Sequence, residues 1–181
     1  MPRPPAAESS HEDFEVDLVF PPPPAPSPAV FTAVGDEPLR ALVRYHHELL
    51  RRSSIGDLFP RDPKRFAAVV ERIATFIVET SKGSPEIALT HGLTWFRSRH
   101  LPLTIDETAR NVWLGALLAT FEEVEYPDAA RVELWNWVEA LSIRAITRRT
   151  MVGQPRRYPL AEAPEALRPF VDSARRNARP N

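Results

Sequence analysis

The chain has 181 residues, with 23 Lys and Arg against 24 Asp and Glu, a formal net charge of −1 and no cysteine. The length supports one domain with a sizeable core. The charge balance excludes a global basic field that would recruit nucleic acid or an anionic membrane, and the missing cysteines exclude disulfides, thiolate metal sites and a cysteine nucleophile.

No apolar run approaches the roughly 20 residues that a bilayer span requires, and the N-terminus has no apolar signal core. A cytoplasmic location with no membrane partner is therefore expected. The glycines are few and are expected mainly at element boundaries. Long periodic segments without strand alternation point to an all-α fold.

Residues 1–30 hold nine of the twenty prolines, among them Pro21 to Pro24, together with Glu8, Glu12, Asp13, Glu15 and Asp17. Such a segment buries too little apolar surface to offset its ordering entropy, and reads as a disordered tail. Asp36-Glu37-Pro38 then starts a helix, with acids at its positive end and proline in its first turn. Leu39, Leu42, Val43, Leu49 and Leu50 follow at the helical period. His46 falls on that face and His47 lies about 100° round it. His46 is either a hydrogen-bonded core residue or a polar group aimed into a cavity.

Ile55, Leu58 and Phe59 pack the next turn. Asp62-Pro63 opens a second long helix whose apolar face is Phe66, Val69, Val70, Ile73, Phe76 and Ile77; Gly83 and Pro85 stop it. Residues 84–103 lack a long period. Short helical turns are expected at residues 85–91 and 94–100, and Pro102 forbids continuation of the second. Arg97, Arg99 and His100 cluster at its end, where cations complement the helix dipole.

Thr104 and Glu107 have capping-box spacing, so a third long helix starts at Thr104 or Asp106. Its stripe is Ala109, Val112, Trp113, Ala116, Leu117, Phe121 and Val124. A fourth helix carries Val132, Trp135, Val138, Leu141, Ala145 and Ile146, with Arg148 and Arg149 at its negative end. Residues 151–181 are rich in Arg, Ala and Pro and read as a mostly irregular tail, with room for a short helix near Pro164 to Arg176. No aromatic platform is interleaved with these arginines, so a nucleic-acid partner is not expected.

There is no Gly-rich phosphate loop, no HExxH and no G-x-S-x-G. The five histidines form no spaced metal set with carboxylates. Hydrolytic chemistry has no candidate residues.

From Phe31 to about Thr150 the chain resembles the group II truncated haemoglobins. F-T-A-V-G-D-E-P-L looks like the family's first short helix and turn, Leu58-Phe59-Pro60 like the segment that sets an aromatic ring against haem, and Gly83-Ser84-Pro85 like the end of its distal helix. H-G-L-T-W-F-R-S-R-H-L-P-L-T-I is similar to the family's R-G-H-P-R-L-R-M-R-H-x-P-F-x-I and aligns His100 with the proximal histidine. Trp113, thirteen residues on, falls at the family's distal tryptophan, and His46, thirteen before Phe59, at its distal tyrosine. Ser81 and Lys82 stand where the family carries aromatic or apolar residues, and Leu93-Thr94 replaces His-Pro.

The resemblance implies a two-over-two helical sandwich in residues 31–150 around haem b, with His100 as the iron ligand. Arg99 and Arg97 would pair with propionates, and Phe59 would stack on the porphyrin. Ile73, Phe76 and Ile77 would form its apolar distal side. Trp113 would donate its indole N–H to bound dioxygen, with His46 either a second donor or, when no gas is bound, itself an iron ligand. Reversible oxygen binding and transport is the implied function, with NO and CO as further ligands, by a monomer or homodimer. The rivals are nitric oxide detoxification or peroxidase-like turnover, which needs a separate reductase, and a haem-free interaction module.

Overall fold

A computed structural model describes residues 25–83 and 93–178. These contain eight helices and no strand: α1 (Pro28–Val34), α2 (Asp36–Arg51), α3 (Pro63–Ser81), α4 (Leu93–His100), α5 (Glu107–Glu122), α6 (Asp128–Ile143), α7 (Ala163–Ala166) and α8 (Arg168–Ala178), with a single 3-10 turn at Gly56–Leu58. The helix expected at residues 85–91, most of the N-terminal tail and residues 84–85 of the Gly-Ser-Pro match lie outside the described residues. None of the described helices is long and apolar enough to cross a membrane.

The architecture is a two-over-two helical sandwich. One layer pairs α2 with α3, the other α5 with α6, and α2 crosses onto α5. α1 starts inside the segment expected as a tail, because Val30 is buried against the core. Gly35 joins it to α2 at φ 88°, its N–H donating to the Phe31 carbonyl.

Local signals set the helix ends. The Asp62 carboxylate accepts from the Arg65 N–H at 2.8 Å, and Pro63 fills the first turn of α3. Asp106, rather than Thr104, caps α5, accepting from the Ala109 N–H at 2.8 Å. Each such cap satisfies an orphan donor and contributes about 1 kcal/mol. α3 ends at Ser81, and Gly83 follows at φ 78°. α6 ends at Ile143, earlier than its apolar period suggests. The Ile105 carbonyl captures the N–H groups of Thr147 and Arg148 at 2.9 and 3.0 Å and draws the chain out of the helix. Arg149 therefore does not sit at that helix end; it bonds Glu107 at 3.0 Å. Val132 faces solvent, not the core.

Residues 151–178 are more ordered than their composition suggests. The short helix allowed there is present as α7 and α8, and α8 covers the face of α5 opposite the sandwich. α5 is consequently buried on nearly all sides. Contact between α5 and α8 is so close that a Cβ at Gly115 would stand 2.5 Å from Phe170 Cβ. Tail arginines hold both parts of this segment: Arg175 of α8 bonds Glu122 of α5 at 2.6 Å, and Arg157, ahead of α7, bonds Glu139 of α6 at 2.6 Å.

Candidate haem pocket

One mainly apolar cavity of about 310 Å³ lies between α3, α4, α5 and α6. From α3 it receives Val69, Arg72, Ile73, Phe76 and Ile77. The turn after α2 supplies Ile55, Leu58, Phe59 and Pro60. Phe96, Arg99 and His100 enter from α4, Ala109, Arg110 and Trp113 from α5, and Val138, Leu141 and Ser142 from α6.

His100 is held by its own helix. Its Nδ1 lies 2.6 Å from the Phe96 carbonyl, and the Phe96 and His100 rings are 4.2 Å apart. A carbonyl only accepts, so Nδ1 carries the proton and Nε2 keeps its lone pair. Burial lowers the imidazole pKa, partly opposed by that hydrogen bond, so the ring is neutral at physiological pH. A neutral imidazole with a fixed tautomer and a bare Nε2 is the form that binds a metal.

Of the residues singled out in the sequence, His100, Arg99, Phe59, Phe76, Ile73, Ile77 and Trp113 come together on this cavity. Arg97 does not line it. Arg97 is exposed and adds its charge to that of Arg144, whose guanidinium is lowered first by burial and then by Arg97. His46 also does not line the cavity. Its Nε2–H donates to the Trp113 carbonyl at 3.0 Å, and its ring meets the indole edge-on at 4.7 Å between centroids.

The cavity wall on α2 is His47 instead. Its Nδ1–H donates to the Val43 carbonyl at 2.8 Å and its ring abuts Phe59 at 5.8 Å. Burial pushes His47 down to about 4. Burial, and then the adjacent His47, push His46 well below the usual range. Both rings are neutral.

Sequence reasoning also missed Arg72 and Arg110. Arg72 is an exposed cation at the cavity rim on α3. Arg110 is buried, and its guanidinium bonds Glu139 Oε1 at 2.5 Å, Ser142 Oγ at 2.8 Å and the Arg156 carbonyl at 2.7 Å. Glu139 in turn accepts from Arg157 and from the Tyr158 N–H. One wall of the cavity is thus tied to the C-terminal segment through a satisfied buried ion pair. The signal lay in Arg110 one turn before Trp113, with Glu139 and Ser142 three apart among the apolar residues of α6.

A helical sandwich that sets a neutral imidazole, its Nδ1 held by its own helix, on the wall of an apolar cavity is the arrangement of a globin-type pocket. No protein-family model matches the chain. It is 28% identical over 126 residues to the group 2 truncated hemoglobin YjbI of Bacillus subtilis (strain 168), covering 70% of this chain and 89% of that protein. The structure matches phosphate-bound Hell's gate globin IV with a TM-score of 0.73 and 42% identity, over 83% of this chain and 94% of that one. The chain belongs to the truncated globin family.

Membership of that family implies a haem cofactor, and the residues present fit one. The cavity offers a neutral imidazole donor, apolar side chains to exclude water, an aromatic ring at Phe59, and the guanidinium groups of Arg72 and Arg99 for anionic substituents.

Proposed function

We propose that this protein is a cytoplasmic haem b protein, its gas-binding unit in residues 31–150, that binds dioxygen reversibly and NO and CO at the same place. The observation that carries the reading is the His100 imidazole, its Nδ1 committed to the Phe96 carbonyl and its Nε2 left for iron. Haem, when bound, supplies the metal centre to which a diatomic ligand attaches. Everything else belongs to the chain. His100 would hold the iron. Arg99 and Arg72, both on the cavity, would meet the anionic propionates. Arg97 is left out of that role because it stands off the cavity. Ile73, Phe76 and Ile77 keep water away. Trp113, on the same cavity, would supply an indole N–H donor to the bound gas.

Titration of the purified protein with hemin tests this. One equivalent should produce a Soret band, and the dithionite-reduced protein should give a CO complex. His100→Ala should lose that spectrum. A His100→Ala protein with an unchanged haem spectrum would contradict the assignment.

A second reading, turnover of nitric oxide or a peroxide with a separate reductase, has one observation in its favour: the polar residues His47 and Trp113 share the apolar cavity. Absence of any turnover above that of free hemin would eliminate it.

A further inference from the structure

Residues 93–105 and 144–157 together carry seven arginines and no Asp or Glu. The fold stitches the two stretches side by side. The Thr147 hydroxyl accepts from the Ile105 N–H at 3.0 Å and donates to the Leu103 carbonyl at 2.5 Å, while the Ile105 carbonyl accepts from the N–H groups of Thr147 and Arg148. The resulting seam borders the cavity through His100, Leu103, Ile105 and Ala145. To solvent it exposes Arg97, Arg99 and Arg148. Like charges are held close along it: the Arg144 guanidinium is pushed down first by burial and then by the charge of Arg97. Two acids border the seam, and both are already engaged. Glu107 bonds Arg149 at 3.0 Å, and Glu139 bonds Arg110 at 2.5 Å and Arg157 at 2.6 Å.

Apolar surface gathers at the same place. Leu101, Met151 and Val152 are three of the four large apolar side chains exposed among the described residues. Leu101 follows directly on His100, and Met151 and Val152 follow Arg149 and Thr150, which are bonded to Glu107. Arginine and methionine are enriched at protein interfaces, where apolar contacts sit inside a polar rim.

We propose that this arginine seam is the docking face for an acidic electron-transfer protein that reduces the ferric haem. This rests on the haem-protein reading above and names the chemistry of its electron donor. A partner on the seam is separated from the cavity by the seam alone. In the step, a reduced flavin of the partner gives up one electron and the ferric iron takes it up as ferrous iron, the state that binds dioxygen. An anionic membrane suits this surface less well. The whole chain has a net charge of −1, so a flat anionic surface gains nothing from the rest of the molecule, whereas a compact acidic patch meets the seam only. The exposed apolar residues also lie outside the helices, not along an amphipathic helix that could sink into lipid.

The test uses the hemin-loaded full chain and reduced flavodoxin, an acidic one-electron flavin protein, mixed under CO in a stopped-flow spectrometer. Arg97→Glu with Arg148→Glu should slow the second-order reduction by about tenfold or more at low ionic strength, the scale of electrostatic steering. The difference should shrink to about twofold near roughly 0.5 M salt, where screening removes it. Arg97→Gln with Arg148→Gln should fall between. Lys64→Glu with Arg65→Glu makes the same change of net charge on α3, outside the seam, and should slow the reaction by less than about threefold. Haem spectrum and CO affinity should be unchanged in all of these variants.

Nitrogen-15 NMR of the diamagnetic CO form with oxidised flavodoxin should move the amides of residues 97–101 and 144–152. Equal rates in wild type and the Arg97→Glu, Arg148→Glu protein, equal slowing by the α3 pair, or shifts confined to other residues overturn the proposal and leave the haem reading standing. So does seam-dependent binding to phosphatidylglycerol vesicles with no effect of the seam on reduction. Protein that takes up no hemin overturns both.

Discussion

Glu139→Gln should destabilise this protein far more than its single-atom change suggests. Glu139 is 2% exposed and Arg110 is 3% exposed. The carboxylate receives Arg110 at 2.5 Å on one oxygen and Arg157 at 2.6 Å on the other, with the Tyr158 N–H at 3.1 Å. Burial already disfavours the Arg110 guanidinium, with Glu139 opposing that effect. Neutralising the acid leaves a buried cation whose compensation is gone, at a cost of about 3–5 kcal/mol. For a domain of this size each kcal/mol moves Tm by about 2–4 °C, so the variant should melt roughly 6–20 °C below wild type by circular dichroism. The loss should be local in origin: the Arg156-Arg157-Tyr158 segment loses its anchor, and trypsin should cut there first. Replacing both partners with apolar residues, Arg110→Met with Glu139→Leu, should recover most of the stability. A Glu139→Gln protein within about 2 °C of wild type refutes the argument. So does a double variant weaker than the sum of its singles.

Other consequences are smaller or more local. Gly115→Ala puts a methyl 2.5 Å from Phe170 Cβ and 2.8 Å from the Phe170 carbonyl carbon; urea unfolding should show about 1–3 kcal/mol of destabilisation, and an unchanged midpoint would mean α8 yields freely. Asp62→Ala removes the cap of α3 and should cost about 1 kcal/mol, with Asp62→Asn retaining most of it. The apoprotein should also lose stability on acidification. His47 titrates at about 4 when folded against 6.5 unfolded. Between those values the unfolded chain binds more protons, so stability is present above 6.5 and falls by about 3 kcal/mol as pH drops to about 4. His47→Phe should make that slope shallower in urea titrations between pH 7 and pH 4, the remainder coming from buried His46 and His100, and equal slopes would refute the assignment.

The helices with one wet face were legible in the sequence. α2 and α3 alternate apolar and charged residues at 3.6-residue spacing, and the caps at Asp62 and Asp106 mark the starts of α3 and α5. His100 was singled out by the resemblance of residues 91–105 to the family's proximal segment, not by its basic cluster, which helix-dipole complementarity alone would explain. His47 was not. On α2 the stripe of Leu39, Leu42 and Val43 passes through His46, and that stripe points into the body of the sandwich, where Trp113 receives it. The cavity lies beside the stripe rather than beneath it, so the residue next in sequence forms its wall. Periodicity gives the buried face of a helix but not which part of that face borders a hollow. α8 was obscure for a different reason. Its apolar residues are few; Arg175 to Glu122 holds it beside Phe170 and Val171, while Arg157 to Glu139 anchors the segment before α7. Long-range ion pairs leave no local pattern. Arg110 was overlooked because a charged residue on an apolar helix face reads as solvent-facing until its partner on another helix is known.

The claim on which the account depends is that His100 Nε2 binds the haem iron. Resonance Raman spectroscopy of the reduced, ligand-free protein observes that bond through its iron–histidine stretching band. The band should be present in wild type, absent in His100→Gly, and restored to His100→Gly by added free imidazole. An unaltered band in His100→Gly would show that another residue holds the metal.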